Sequence, residues 1–222
     1  MKISIIIAVL NSHEILRRQL LHFEKMNLPD DIEIIVIDDG SEPALEGNIK
    51  NLTMFATNDK RPWTQPLARN IGAKMAKGEY LICTDIDHIL SRKLIDLVYA
   101  TDYDVVKFKR EPGVLDEDGD FTQDMDVLHA YGYEKGRGLH MSAHGNSYAI
   151  KKDLFIRLGG SQKKDVYPNR DELKLKRRLR RLGDKVKILT DEGRPTIYMI
   201  PNGRFCGDRN YNPFNLFHNL TR

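Results

Sequence analysis

Two aspartates separated by one residue, Asp85 and Asp87, are the strongest chemical signal in the sequence, and His88 follows them directly. They come after the apolar run Tyr80 to Cys83, so both carboxylates are expected on the same side of the point where a buried strand ends. Two carboxylates placed in this way can hold one divalent cation, Mn²⁺ or Mg²⁺, and a cation there could bridge two phosphates. Strand-end aspartates also form turns and helix caps, so the motif alone leaves a structural turn open as an alternative.

The elements around this motif alternate between short β-branched runs and amphipathic segments. The segments of the first half are 3–9, 13–26, 33–37, 52–56, 65–77 and 80–84. Runs of Ile, Val and Leu without polar alternation are typical of a parallel sheet covered on both faces. In such a sheet, ligands bind beyond the carboxyl ends of the strands, here around Asn11, Asp38 to Ser41 and Asp85 to His88. The prediction is an α/β protein, a single Rossmann-like domain over residues 1–222 with a mostly parallel central sheet flanked by helices.

Local signals predict where two of the helices begin and end. Asn11 is expected to cap the first helix, with Glu14 completing a capping box three residues later. Gly78 is expected to end the helix that starts at Gln65. Later in the chain, regular structure is expected at 146–150, 152–158, 186–189 and 196–200, and a strongly basic helix at 170–182.

Composition limits the class of protein. With 222 residues, 41% hydrophobic and 30% charged, the chain can bury one substantial core, and a formal net charge of +3 does not require a polyanionic partner. Only two cysteines are present, so a disulfide framework is not expected and a reducing, cytoplasmic compartment fits best. No run approaches the roughly 20 apolar residues of a membrane span, which leaves only peripheral membrane contact open. No feature of the sequence indicates an oligomeric state.

Four motifs in order, followed by two looser matches, resemble the family 2 glycosyltransferases with the GT-A fold. The motifs are 4–11 (SIIIAVLN), 36–41 (VIDDGS), 68–72 (ARNIG) continuing to 78–80 (GEY), and 85–88 (DIDH), with looser matches at 146–160 and 171–183. The resemblance implies a metal-dependent enzyme that moves a sugar from a nucleotide diphosphate to an acceptor hydroxyl. It further implies that residues 1–110 bind the nucleotide sugar and residues 111–222 bind the acceptor, a saccharide or another hydroxyl-bearing molecule.

The resemblance also implies roles for residues of the first half. The turn formed by Ala8, Val9 and Asn11 would shape the pocket for the nucleotide base. Asp39 would contact the base or ribose, because a carboxylate can accept hydrogen bonds from uracil N–H or ribose hydroxyls. Arg69 would approach the nucleotide or its phosphates, to which a guanidinium is well suited. Asp85 would serve both the nucleotide sugar and the metal. The simpler interpretations are a strand-terminating turn at Asp39 and a solvated helix charge at Arg69.

An inverting transfer needs a base that accepts the proton of the attacking hydroxyl. By the resemblance, Glu172 and Asp171 occupy the positions where the family usually has Glu-Asp, so the order of the two residues is reversed here and either could be the base. A structural interpretation competes, because Asn169 and Glu172 have capping-box spacing and acidic residues favour a helix start.

Other positions bear on the metal and the nucleotide. His218 lies in a segment resembling one that supplies a further metal or phosphate contact in some relatives. Ala8 stands where relatives commonly have Pro, and His88 where many have a further Asp. Because imidazole suits manganese better than magnesium, His88 favours Mn²⁺ slightly. A UDP-sugar is the donor that the resemblance favours.

Three alternatives accompany this interpretation. A sugar nucleotidyltransferase would be expected to carry a glycine-rich phosphate loop after its first strand, and residues 8–14 contain no glycine. Transfer onto nucleic acid is suggested by the basic helix but is not favoured, because relatives are also basic there. A noncatalytic nucleotide-sugar-binding protein would retain the binding residues and lack a working base.

Overall fold

The structure is a computed structural model that describes residues 1–58, 64–133, 147–161, 171–190 and 193–201, with the backbone alone at 171–176. The strands are β1 (Ile3–Val9), β2 (Ile32–Asp38), β3 (Leu52–Ala56), β4 (Tyr80–Asp85), β5 (His88–Ile89), β6 (Val105–Lys107), β7 (Lys109–Pro112), β8 (Val114–Leu115), β9 (Phe121–Thr122), β10 (Tyr148–Lys151), β11 (Ile188–Leu189) and β12 (Thr196–Met199). The helices are α1 (His13–Met26), α2 (Gln65–Met75), α3 (Arg92–Ala100), α4 (Met125–Ala130), α5 (Lys152–Arg157) and α6 (Asp171–Leu182), and a 3₁₀ turn covers Gly183–Lys185.

Seven strands form the central sheet in the order β11-β6-β10-β4-β1-β2-β3. The pairs among β1, β2, β3 and β4 are parallel, as is the pair of β6 and β11, whereas β10 is antiparallel to both β4 and β6. The predicted α/β fold with a mostly parallel sheet is therefore confirmed. The register places Ala8 beside Asp85 and Val9 beside Asp38, so the carboxyl ends of β1, β2 and β4 meet at one edge.

Every residue of β1 and β2 is buried, because apolar clusters cover both faces of the sheet. On one face, alternate residues of β1 such as Ile5 and Ile7 pack with α1 and α3 side chains. On the other face, Ile6 and Ala8 pack with side chains of α2, α5 and α6. This two-sided burial explains why these strands are apolar at nearly every position.

The first helix does not begin as the sequence predicts. Its N-cap residue is Ser12, and Asn11 instead has a φ of +48° and accepts a hydrogen bond on Oδ1 from the Glu42 amide. Glu14 makes no capping box and binds Arg17 and Arg18 instead. The hydrogen bond from Arg17, with help from Arg18, lowers the pKa of Glu14 to about 2 although partial burial opposes the change. The predicted capping role of Asn11 is therefore wrong, because the neighbouring loop binds its side chain.

The second helix ends at Met75, two residues before the predicted end. The chain leaves the helix because the Lys77 amide donates to Glu33 Oε1 and the Gly78 amide donates to Ser4 Oγ. A Cβ on Gly78 would lie 2.5 Å from the backbone nitrogen of Ser4, which is closer than any side chain permits. Glycine is therefore required there by close contact with β1 and not by a helix-ending conformation.

Two small sheets lie beside the carboxyl edge, one of β5, β12 and β7 and one of β8 and β9. Arg18 of α1 donates to Leu115 O at 2.9 Å and to the Tyr131 hydroxyl at 2.7 Å, which ties the first helix to this region. No helix within the described ranges has both the length and the apolar character that crossing a bilayer requires.

Helix α2 packs closely on β1 through Gly72, where a Cβ would lie 2.5 Å from Ile6 Cγ2. We expect Gly72→Ala to lower the urea midpoint of unfolding, because overpacking at a buried site costs about 1–3 kcal/mol. Helix propensity alone predicts that Gly72→Ala increases the free energy of unfolding by about 1 kcal/mol. Lys74→Ala, on the exposed side of the same helix, is the control and should change stability by less than about 0.5 kcal/mol. A raised midpoint in Gly72→Ala would contradict the close packing of α2.

Candidate active site

The carboxyl edge of the sheet brings together the three polar places that the sequence predicts. Ala8 and Val9 end β1 and are buried, and the Asp39 amide donates to Val9 O at 2.8 Å. Asn11 is joined to the loop after β2, because the Ser41 hydroxyl accepts a hydrogen bond from its amide at 2.8 Å. The end of β1 and the loop after β2 therefore form one wall of the site.

The carboxylates of the adjacent residues Asp38 and Asp39 have different hydrogen-bond partners. Asp38 accepts hydrogen bonds from the amides of Gly40, Ser41 and Leu45, so its carboxylate shapes the loop. Asp39 accepts a hydrogen bond on Oδ1 from the Thr64 hydroxyl and is 6% exposed. The sequence Asp-Asp-Gly-Ser is typical of a turn, so the role of Asp38 in shaping the loop could be predicted from it. The role of Thr64 is not indicated by any local pattern.

Arg69 lies against Asp85 and not in solvent. Its Nη2 is 2.6 Å from Asp85 Oδ1, and the two side chains are 3% and 15% exposed. Gln65 Nε2 donates to the same oxygen. Gln65 and Arg69 are four residues apart and therefore share one face of α2, a spacing from which Gln65 could have been identified. The predicted contact of Arg69 with a nucleotide stays a prediction, and its position beside Asp85 is compatible with one.

Asp85, Asp87 and His88 form a group whose ligand atoms all lie within 4.8 Å of one another. The side chain of His88 is 1% exposed, with Nδ1 2.8 Å from the Ser147 hydroxyl and 3.8 Å from Asp85 Oδ2. The hydrogen bond with Ser147 fixes the ring of His88 beside Asp85. Two carboxylates and one oriented imidazole fit a divalent cation such as Mn²⁺.

Burial raises the pKa of Asp87, and the nearby Asp85 carboxylate acts in the same direction, whereas His88 and Arg110 lower the pKa. Burial is the largest of these effects, so the metal-free site holds a carboxylate that its surroundings partly disfavour. A divalent cation between Asp85 and Asp87 would offset that penalty, because its charge stabilises both ionised groups.

The predicted bases lie at the start of α6. Asp171 and Glu172 are its first two residues, and their side chains are outside the described part of the chain, as are Asn169 and His218. On the same helix, Arg178 donates to the carbonyls of Leu158 and Gly160 at 2.9 Å. This arginine is therefore used to fix α6 against the end of α5. The remaining described arginines of the basic helix are exposed, namely Arg177, Arg180 and Arg181.

A family model described as glycosyl transferase family 2 matches residues 4–159, which is more than two thirds of the chain. The chain belongs to this family. It is also 32% identical to glycosyltransferase GlyG of Streptococcus pneumoniae serotype 4 over 103 residues. That match covers 44% of this chain and 34% of GlyG, so the chain aligns with about a third of that relative's length.

Solved structures share the fold. The S. aureus TarS fragment 1–349 has a TM-score of 0.60 at 18% identity, over 90% of this chain and 60% of the fragment. The mannosyltransferase PcManGT from Pyrobaculum calidifontis, solved with GDP-Man and Mn²⁺, has a TM-score of 0.59 at 19% identity, over 90% of this chain and 56% of its own. The same TarS fragment has been solved with UDP-GlcNAc. These likenesses confirm the GT-A fold.

Removing the charge of Asp87 tests the cation site. We expect millimolar Mn²⁺ to raise the thermal midpoint of the unchanged chain. At a hundredfold excess over Kd, the free energy of unfolding should increase by about 2.7 kcal/mol. Mn²⁺ should have no effect on Asp87→Asn. Because the folded-state pKa of Asp87 is raised, its ionisation destabilises the metal-free fold at neutral pH. Asp87→Asn should therefore be at least as stable as the unchanged chain in chelator.

Asp118→Asn is the control, since it removes an exposed carboxylate from the loop between β8 and β9. It should keep the full response to Mn²⁺. An equal Mn²⁺ response in Asp87→Asn would mean that the cation binds elsewhere.

Proposed function

We propose that this member of glycosyl transferase family 2 is an inverting glycosyltransferase. It moves a sugar from a nucleotide diphosphate, a UDP-sugar, to a hydroxyl of a saccharide or similar acceptor, with Mn²⁺ or Mg²⁺ held by Asp85 and Asp87. The observation that carries this proposal is the group of Asp85, Asp87 and His88 at the carboxyl edge, with Arg69 bound to Asp85. At this edge a candidate cation site lies beside Arg69, whose guanidinium would contact the phosphates of the donor.

The nucleotide would lie along the wall formed by the end of β1 and the loop after β2. Asp39 has the chemistry to accept hydrogen bonds from uracil or ribose, and the Thr64 hydroxyl holds its carboxylate in place. Ala8, Val9 and Asn11 would form the floor under the base. Structures of TarS with UDP-GlcNAc and of PcManGT with GDP-Man and Mn²⁺ support a nucleotide-sugar donor and a cation.

The proposed reaction is a displacement at the anomeric carbon in which negative charge develops on the departing diphosphate. The acceptor oxygen attacks the anomeric carbon from the face opposite the diphosphate, the bond from carbon to the diphosphate oxygen breaks, and the acceptor proton passes to a carboxylate. The departing diphosphate gains negative charge, which the guanidinium of Arg69 would stabilise. A divalent cation, when bound, supplies Lewis-acid stabilisation of the same charge. Glu172 or Asp171 would take the proton, because both begin helix α6, whose sequence loosely resembles the base-bearing segment of the family with the order of the two acidic residues reversed.

The two halves of the chain would divide this work. Residues 1–110 contribute the end of β1, the loop after β2 and the Asp85 to His88 turn, and we assign nucleotide-sugar binding to them. Residues 111–222 would bind the acceptor and supply the base, with His218 as a further metal or phosphate contact. The aligned part covers 34% of GlyG, 60% of the TarS fragment and 56% of PcManGT.

A nucleic-acid acceptor is the weaker alternative. Its support is the exposed face of Arg177, Arg180 and Arg181, while Arg178 is bound to backbone carbonyls. Strong, salt-sensitive binding to DNA would favour it. A noncatalytic binding protein would bind the donor without turnover, which the donor experiment distinguishes.

The donor class can be measured by calorimetry with UDP, GDP, UDP-GlcNAc, UDP-glucose and GDP-mannose, with and without Mn²⁺. We expect UDP and one UDP-sugar to bind only with Mn²⁺, and Asp39→Ala to weaken binding at least tenfold, equivalent to about 1.4 kcal/mol. Glu46→Ala, which removes an exposed carboxylate from the loop after β2, should bind as the unchanged chain does. Preference for GDP-mannose would contradict the uridine assignment, and no binding of any nucleotide would contradict the proposal itself.

The base can be identified by slow hydrolysis of the preferred donor, with water as the acceptor. We expect Glu172→Gln to lower the rate by about 10²–10⁴ without changing the Kd of the donor, because it removes a proton acceptor and leaves donor binding intact. Asp171→Asn is the matched comparison, and the larger loss identifies the base. Proton NMR of the released sugar should show the anomer opposite to that of the donor, and retention would contradict the inverting mechanism.

A further inference from the structure

The side chain of Gln19 lies directly behind the turn that carries Asp85, Asp87 and His88. Gln19 is in the middle of α1 and is 1% exposed. Its Nε2 donates hydrogen bonds to Ile86 O at 3.2 Å and to His88 O at 3.0 Å. Carbonyl oxygens can only accept, so the amide nitrogen and not its oxygen must face the turn. One amide group therefore holds the two carbonyls on either side of Asp87.

The third carbonyl of the turn is also held. The Ile200 amide, just after β12, donates to Asp87 O at 3.0 Å. Three consecutive peptide groups are thus fixed by two elements distant in sequence, α1 and the end of β12. The backbone position of Asp87 is therefore set from behind, while its carboxylate stays within 4.8 Å of the ligand atoms of Asp85 and His88.

Gln19 is not explained by stability alone. Its Oε1 is buried, and none of the described residues donates a hydrogen bond to it. A buried acceptor without a partner opposes folding, so the two bonds made by Nε2 come with a counteracting cost. An apolar side chain of the same length would avoid that cost but would release the turn. The presence of glutamine at this position is therefore better explained by its hydrogen bonds to the turn than by its packing in the core.

We propose that Gln19 is a positioning residue for the cation ligands, a role that rests on the proposed function. It acts through the backbone of the turn, because its two hydrogen bonds go to the carbonyls of Ile86 and His88. A cation needs its ligands held within about half an ångström of the productive geometry, and supporting hydrogen bonds of this kind typically change metal affinity by about 10- to 100-fold. Gln19 thus links helix α1 to the affinity of the site for its cation.

The test is the Mn²⁺ affinity of Gln19→Met, measured by electron paramagnetic resonance of free Mn²⁺. The substitution keeps side-chain length and removes both donors, so we expect the Kd for Mn²⁺ to rise at least tenfold while the metal-free thermal midpoint stays close to that of the unchanged chain. Gln123→Met is the matched control, since it makes the same change at an exposed glutamine, and it should leave the Kd unchanged. Gln19→Leu also removes both donors without adding a charge, and it should weaken Mn²⁺ binding as well if the Met variant does not fold.

Hydrogen exchange in metal-free protein gives a second measurement independent of turnover. Amides of residues 86–89 and of Ile200 should exchange faster in Gln19→Met, while those of β1 should not change. An unchanged Mn²⁺ affinity in both Gln19 variants would overturn the positioning role alone. A chain that binds Mn²⁺ equally well with Asp87→Asn would overturn the proposed cation site, and the role of Gln19 with it.

Discussion

The ion pair between Arg69 and Asp85 is the interaction on which the rest of the site depends. Its atoms are 2.6 Å apart, and both side chains are almost shielded from water. Removing one partner of such a pair leaves an uncompensated charge, which typically costs about 3–5 kcal/mol, so the two residues require one another. The pair also fixes which oxygen of Asp85 is occupied, because Arg69 and Gln65 both bind Oδ1. The other oxygen, Oδ2, is the one that lies near His88.

The fold enforces this pair through the geometry of parallel strands. The ends of β1, β2 and β4 lie in register at one edge, and the helix that carries Gln65 and Arg69 starts at that same edge. Gly72 allows α2 to approach β1 closely enough for the arginine to reach Asp85. The sheet is packed on both faces and is therefore rigid. This rigidity keeps the charged side chains at its carboxyl edge close together, although alone they would repel one another or be hydrated separately.

The turn after β4 is supported from several directions at once. Gln19 and the Ile200 amide hold its carbonyls, and Ser147, just before β10, holds the imidazole of His88. These contacts bring an early helix and two late strands to one four-residue turn. Burial of the Asp87 carboxylate, to which these elements contribute, raises its pKa. The same burial disfavours the ionised carboxylate, and a cation beside it would offset that effect because its charge stabilises the ionised form.

The sequence by itself determined the fold class and the positions of the main chemical groups. Apolar runs such as 3–9 predict buried parallel strands, Asp39 and Asp85 stand where two of these runs end, and the resemblance to the family singled out Arg69. Only the tertiary structure decided that Arg69 pairs with Asp85, that Asp38 shapes a loop while Asp39 lines the edge, and that Gln19 supports the turn. The physical reason is that the periodicity of strands and helices depends on residues that are neighbours in sequence, so it predicts elements and not the contacts between them. Hydrogen bonds across 16 to 69 residues depend on how whole elements pack.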